Sequence, residues 1–185
     1  MNRLLTALAA AAALWGCTSQ NIETSFANQE SRIDTYINNL TLQIKDQDGN
    51  VIEERKPEVV HHKGSNRVII NDGEGEALSA GGSVTFFYAG YVFTSSPSSL
   101  FATNHKETAE SSGWTVTDPD YNAVTLDLKD KNITEGLRNG LAGTRAGEEC
   151  IIIFSGKYGL GRKRLGAVPA NSALCYHIWV ESIKN

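Results

Sequence analysis

One short stretch, Ile133-Thr134-Glu135-Gly136-Leu137 continued by Gly140-Leu141-Ala142-Gly143, constrains the fold more than any other in the chain. Ile133, Leu137 and Leu141 recur at four-residue spacing and therefore share one face of a helix. Asn132 with Glu135 three residues on has the form of a capping box, and Gly143 stands where a helix commonly stops. Gly136 and Gly140 each cost about 1 kcal/mol relative to alanine inside a helix, so they predict a helix whose backbone must lie very close to a sheet. Three segments can supply that sheet: Val84–Phe93, Cys150–Phe154 and Ala173–Ser182. All are rich in β-branched and aromatic residues and bounded by glycines. One short helix on several strands is an α+β domain.

Side chains alternate along a strand, so Val84, Phe86, Tyr88 and Val92 share a face with Cys150, Ile152 and Phe154 and with Leu174, Tyr176, Ile178 and Val180. The opposite face carries Phe87, Tyr91, Phe93, Ile151, Ile153, Cys175 and Trp179. Burying one such large side chain contributes roughly 1.5–3 kcal/mol, so this second face predicts a cover. Phe26, Ile33, Tyr36, Ile37 and Leu40 fall close to one helical stripe, which predicts a short helix over Phe26–Leu40. The segment from Phe26 to Val60 is the expected cover, with the Ile33, Tyr36, Ile37 and Leu40 stripe packing on the second face. A homodimer through that face is the alternative. Cys150 and Cys175 lie on opposite faces, which argues against a disulfide between them.

The start of the chain reads as an address. A basic residue, Arg3, precedes an apolar run from Leu4 to Trp15 that is too short to cross ~30 Å of hydrocarbon, as in a secretory signal peptide. Leu14-Trp15-Gly16-Cys17 resembles a bacterial lipobox. Residues 1–16 are therefore read as a lipoprotein signal peptide and Cys17 as a lipidation site. That puts the mature chain in the bacterial cell envelope, lipid-anchored and facing the periplasm or the surface, with the membrane as a partner through its N-terminal lipid. Residues 17–65 form a tether and N-terminal extension. Thr18–Ser25 is polar and without periodicity, as suits a tether. After the helix, Leu40–Ile44 and Val51–Glu53 flank Asp46-Gln47-Asp48-Gly49-Asn50, which reads as a hairpin turn. It lacks the sixth-position glycine and twelfth-position glutamate of an EF-hand loop.

Several function classes drop out. The net charge of −4 and pI near 5.6 offer no field for nucleic acid. Arg162-Lys163-Arg164, the basic run, sits in a glycine-flanked loop and reads as solvated. His61 and His62 point to opposite sides of an extended segment, without ligands at metal-binding spacing nearby. Asp72-Gly73-Glu74-Gly75 lacks the Gly-Lys-Ser/Thr of a phosphate loop and reads as a turn. Nothing in the chain calls for a metal or cofactor.

The motifs that carry chemistry run in order: Phe87-Tyr88-Ala89-Gly90, Phe101-Ala102-Thr103-Asn104, Ile133–Leu137, Gly140–Glu148 and Val168-Pro169-Ala170-Asn171-Ser172-Ala173-Leu174. This order and spacing resembles the FK506-binding-protein (FKBP) family of peptidyl-prolyl cis-trans isomerases, over residues 66–185. The resemblance implies an antiparallel sheet half-wrapped around one short helix, here with an N-terminal helix and hairpin extension. It implies Xaa-Pro-containing polypeptides as partners and isomerisation assisting the folding of exported proteins. By the same resemblance Tyr88 is the pocket tyrosine, Phe101 a wall aromatic, Ile133 and Thr134 the segment whose backbone binds the ligand carbonyl, and Leu137 the floor. Val168 and Tyr176 close the far side.

The chain departs from the family at Ala102, where an aspartate is usual, at Leu160, where a tyrosine donates to ligands, and at Leu137, often a tryptophan. Val124 falls where a further wall aromatic is expected, after a long insertion from Asn104 to Tyr121. These departures keep an apolar cleft and support a second reading, a noncatalytic, membrane-anchored binding module of the same fold. A structural envelope lipoprotein, with the N-terminal helix as its working surface, has no motif behind it.

Overall fold

The computed structural model describes residues 3–46, 48–115 and 120–185, with side chains from residue 20 onward except at residue 45. The lipidation expectation at Cys17 concerns a side chain outside the described residues. The chain opens on one helix, α1 (Arg3–Asn39), 37 residues long. It is longer than the short helix expected from Phe26, and Thr18–Ser25, read as a tether, belongs to it. The polar stretch has no glycine or proline to break the helix, and Ile22 carries the apolar stripe one turn back from Phe26. The Thr24 hydroxyl bonds back to the Gln20 carbonyl at 2.9 Å, the arrangement open to a threonine inside a helix.

β1 (Leu42–Lys45) and β2 (Val51–Arg55) pair as a separate two-stranded sheet. The Asp46 carboxylate accepts the N–H of Asp48 at 2.9 Å and of Asn50 at 2.8 Å, forming the expected turn.

The main sheet is built from β3 (Glu58–His62), β4 (Ser65–Asn71), β5 (Ser83–Phe93), β6 (Pro97–Thr103), β7 (Val124–Asp127), β8 (Glu149–Phe154) and β9 (Ala173–Lys184). Its order is β3-β4-β8-β9-β5-β6, with β7 also on β5, and every pairing is antiparallel. The sheet therefore starts at Glu58, inside the segment assigned from sequence to the extension. Only Val59 and Val60 mark β3 as apolar, too few for an alternation to be read. His61 and His62 lie on this strand, with His61 Nδ1 2.6 Å from Asn66 Oδ1 and His62 Nδ1 3.1 Å from the Asn139 carbonyl.

The two faces of the sheet carry separate cores. On one sits α3 (Glu135–Leu141), with Leu137 and Leu141 packed among Val84, Phe86, Cys150, Ile152, Phe154, Leu174 and Ile178. A Cβ on Gly136 would stand 2.2 Å from the Phe154 ring, and one on Gly140 2.3 Å from Ile152 Cγ2. These two positions are glycine because the sheet's side chains already occupy the space. The expected capping box does not form. Thr134 is the N-cap, without a side-chain bond, and Asn132 turns instead to Asp130 at 2.9 Å.

At the other end of α3, buried Arg67 donates to the carbonyls of Gly140, Ala142 and Gly143 at 3.2, 2.9 and 3.3 Å. Its Nε also lies 3.3 Å from a Glu148 carboxylate oxygen. A guanidinium here satisfies orphan carbonyls and the negative end of the helix dipole together.

The second face is covered by α1: Ile33 and Ile37 are buried against Val68, Phe93, Ile153, Ala173 and Cys175, with Tyr36, Leu40, Tyr91 and Ile151 around them. Phe87 and Trp179, also assigned to this face, lie outside that cluster. His105 and His177 stack on either side of the Trp179 ring at 3.9 Å, and Phe87 meets His105 at 6.4 Å. His105 enters from the insertion that carries α2 (Lys106–Ser111). α1 thus occupies much of the surface for which a second copy was the alternative cover. Cys150 and Cys175 are free thiols, buried on opposite faces.

Candidate active site

β5 is the axis of the site. Along one edge it pairs with β9; along the other it pairs with β7 over Ser83–Phe86 and with β6 over Ala89–Phe93. The chain leaves β6 and returns in β7, leaving a gap beside Phe87 and Tyr88. Asn104, buried, fills it. Its side-chain oxygen accepts the Tyr88 N–H at 2.6 Å, its own N–H donates to the Tyr88 carbonyl at 3.2 Å, and its amide nitrogen donates to the Asn122 carbonyl at 2.8 Å. The Thr103 hydroxyl also donates to the Tyr88 carbonyl at 2.8 Å. Tyr88 is held by this network at the one point where β5 lacks a strand neighbour on that edge.

Around Tyr88 a cavity of about 480 Å³ opens between the sheet, α3 and the loop after β8. Phe86, Tyr88, Phe101, Ala102, Val124, Leu126, Leu137 and Tyr176 line it, with Leu165, Gly166 and Ala167 from the loop. No charged side chain is among them. Tyr176 is the hub: its ring lies 5.8 Å from Phe101 at 90°, 6.4 Å from Tyr88 and 6.0 Å from Phe154. These are edge or offset arrangements that aromatic rings favour. Gly90 explains how Phe101 reaches Tyr176, since a Cβ there would meet the Phe101 ring at 2.8 Å and Tyr176 at 3.1 Å.

Burial raises the Tyr88 and Tyr176 phenols above the usual range, Tyr176 the more strongly and with a further push from neighbouring Tyr88 and Cys175. Both stay protonated at neutral pH. Neither hydroxyl has a protein partner among the described residues, so both remain able to donate to a ligand.

Of the residues singled out in the sequence, Tyr88, Phe101, Ala102, Val124, Leu137 and Tyr176 meet in this cavity. Ile133, Thr134 and Leu160 do not line it. They border a second, polar cleft of about 360 Å³ together with Lys131, Glu135, Arg138 and Lys163. The Tyr158 carbonyl accepts the Gly136 N–H at 2.8 Å and ties the loop to the start of α3, where Leu160 packs partly buried against the core rather than in the cavity wall. The backbone N–H groups of Ile133 and Thr134 take no acceptor among the described residues. Val168 is 1% exposed and lies in the core beneath, not on the cavity wall. Phe86 and Leu126 were missed as lining residues, although each sits two positions from a recognised one on the same strand face. Leu165–Ala167 and Asn104 gave no periodic signal.

The FKBP-type peptidyl-prolyl cis-trans isomerase family model matches residues 75–181, more than half of the chain. The chain belongs to this family. No curated protein matches it in sequence. Among solved structures, this FKBP chain is similar to a multi-domain immunophilin from Arabidopsis thaliana (TM-score 0.56, 20% identity), the match covering 74% of this chain and 49% of that one. It thus spans about half that protein's length. The N-terminal domain of FKBP42 from Arabidopsis thaliana matches at TM-score 0.56 and 20% identity, over 74% of this chain and all of that one (100%). FkpA from Escherichia coli matches at TM-score 0.52 and 15% identity, over 97% of this chain and 70% of that one. At these identities the structures establish the FKBP fold: an antiparallel sheet with one short helix, and here a long N-terminal helix.

Proposed function

We propose that this FKBP chain catalyses cis-trans isomerisation of Xaa-Pro bonds in exported polypeptides, from a lipid anchor at Cys17 in the bacterial cell envelope. The observation that carries the catalytic reading is the uncharged, aromatic cavity with two phenol donors in its wall that take no partner among the described residues.

Rotation about an Xaa-Pro bond faces a barrier of roughly 18–20 kcal/mol because the planar amide is stabilised by resonance. That resonance makes the planar amide strongly dipolar and well solvated by water. Twisting removes the resonance, so a site that replaces water with Phe86, Phe101, Val124, Leu126 and Leu137 disfavours the planar ground state more than the twisted one. The proline ring fills the floor over Leu137. The Tyr88 and Tyr176 hydroxyls donate to the substrate carbonyl and hold its oxygen as the bond turns. No proton is transferred, so kcat/KM is expected to be flat across neutral pH.

Isomerisation of a proline peptide, followed by line-shape or exchange spectroscopy without a coupled protease, tests this reading. A rate above the uncatalysed one at micromolar protein supports it. Ala102 contributes no polar group to the wall and Leu160 lies outside the cavity, which favours the second reading, a noncatalytic module that grips extended proline-containing segments. That module would bind the peptide without changing its exchange rate. The anchor is tested by Cys17→Ala, which should release the protein from the membrane fraction and abolish acyl labelling; unchanged fractionation with no label on the wild type contradicts it.

A further inference from the structure

We propose that Gln29 of α1, which lies outside the family-matched region, is a positioning residue for the cavity, closing the base of the loop that forms one of its walls. This rests on the catalytic reading given above.

The loop runs from Gly156 to Asn171 and brings Leu165, Gly166 and Ala167 to the cavity. Strand pairing does not hold it; its internal ties are the Leu165–Val168 bridge, two turn bonds (Gly159 N–H to the Gly156 carbonyl at 3.3 Å and Lys163 N–H to the Leu160 carbonyl at 3.1 Å) and the bond from the Asn171 N–H to the Gly161 carbonyl, with the Gly136–Tyr158 bond as its tie to α3. Its two ends pass in contact, since a Cβ on Gly156 would sit 2.3 Å from the Asn171 carbonyl oxygen. Gln29 spans both ends with one carboxamide. Its oxygen accepts the Gly156 N–H at 2.8 Å, and its nitrogen donates to the Asn171 carbonyl at 2.7 Å.

Gln29 is 9% exposed and is the polar member of the stripe that otherwise carries Ile22, Phe26, Ile33, Tyr36 and Leu40. Phe26 lies against the same point, 2.9 Å from a Cβ placed on Gly156. The Ser155 hydroxyl donates to the Glu30 carboxylate at 3.0 Å. Asn171 holds a left-handed backbone (φ 58°), which asparagine tolerates better than other residues with a side chain. A buried amide that satisfies one donor and one acceptor, each at an opposite end of one loop, sets the separation of those ends and hence the stance of the wall between them. An apolar residue at position 29 would continue the stripe but would leave both groups unpaired.

The test uses the full chain and two variants. Gln29→Leu keeps the size and removes both bonds. Gln29→Glu keeps the acceptor for Gly156 but, when ionised, presents a carboxylate to the Asn171 carbonyl; protonated, it is an isostere of glutamine and can donate again. Gln29→Leu is expected to lower kcat/KM about tenfold, mainly through KM, and to speed amide hydrogen exchange in residues 156–171 while α3 and β8 keep their protection. Gln29→Glu is expected to be impaired at pH 7.5 and to recover toward wild type on acidification toward pH ~5 as its carboxyl protonates, with the wild type flat over that range. Unchanged loop exchange and kcat/KM within about twofold of wild type in Gln29→Leu would overturn the proposal. So would an exchange increase spread evenly over the whole domain, or a Gln29→Glu deficit that does not respond to pH. If the wild type itself does not isomerise prolyl bonds, the catalytic reading fails, and the exchange experiment still decides whether Gln29 holds the loop.

Discussion

Replacing Gly136 by alanine isolates the close approach of helix to sheet on which the cavity floor depends. In a solvent-facing helix this change stabilises by about 1 kcal/mol, because glycine is the poorer helix former. Here the added Cβ would lie 2.2, 2.4 and 2.6 Å from three atoms of the Phe154 ring. Ordinary contacts are roughly 3.5–4.0 Å, so helix or ring must move by more than 1 Å. Phe154 cannot swing away freely: it is 0% exposed and lies against Tyr176, centroids 6.0 Å apart at 19°.

Overpacking of this kind costs about 1–3 kcal/mol, occasionally more. The enclosed ring puts the cost in the upper half of that range, about 2–3 kcal/mol, so with the propensity gain set against it a net loss of about 1–2 kcal/mol is expected, or a fall in Tm of some 2–8 °C for a chain of this size. The displacement also reaches Tyr176 and Leu137, so proline-peptide affinity should fall with it. Urea unfolding of wild type and variant, with equal slopes, gives the number. A stabilised or unchanged Gly136→Ala protein would refute the packing explanation for this glycine.

Two further outcomes follow from buried charge. Arg67→Ala strips the α3 carbonyls of their donor and leaves Glu148 without its cation, so a loss of about 3–5 kcal/mol is expected in denaturant unfolding, partly recovered by adding Glu148→Gln. Burial already raises the Glu148 carboxyl above its usual range despite Arg67, so the ionised form is a folded-state cost that grows as pH rises through its folded pKa. The Arg67→Ala defect should therefore lessen on acidification. Burial chiefly lowers the His177 pKa, although Glu149 accepts or shares a hydrogen bond at 2.8 Å and opposes the shift. A depressed folded value means its contribution to stability is present above about pH 6.5, the unfolded value, and is lost as pH falls through the folded one. Tm should drop over that window together with a change in Trp179 emission, and His177→Gln should remove that part of the drop.

What the sequence made legible was periodic. Alternation placed β5, β8 and β9 side chains on their correct faces, the four-residue spacing with Gly136 and Gly140 found α3, and the Ile33-Tyr36-Ile37-Leu40 stripe found the cover of the second face. Tyr88, Phe101, Leu137 and Tyr176 were named together from the order of motifs that resembles the FKBP family, and they converge on the cavity. The remainder depends on single bonds across long stretches of chain. Asn104 bridges a gap in the sheet edge, Arg67 caps a helix 73 residues away, and Gln29 ties a loop end 142 residues away. Such side-chain-to-backbone contacts leave no period to read. Thr18–Ser25 was misjudged because local polarity was weighed without the stripe that continues through Ile22.

Prolyl isomerisation by wild type beside Phe101→Ala and Tyr176→Phe tests the central claim most directly, with peptide binding measured on the same samples. The wild type is expected to accelerate exchange. Phe101→Ala, which opens the wall at the ring packed 5.8 Å from Tyr176, should lower kcat/KM tenfold or more. Tyr176→Phe, which removes one donor and keeps the ring, should lower it by a smaller factor, and circular dichroism should be unchanged in both. A wild type that binds the peptide in this cavity while leaving its exchange at the uncatalysed rate would contradict the account and assign the fold to binding alone.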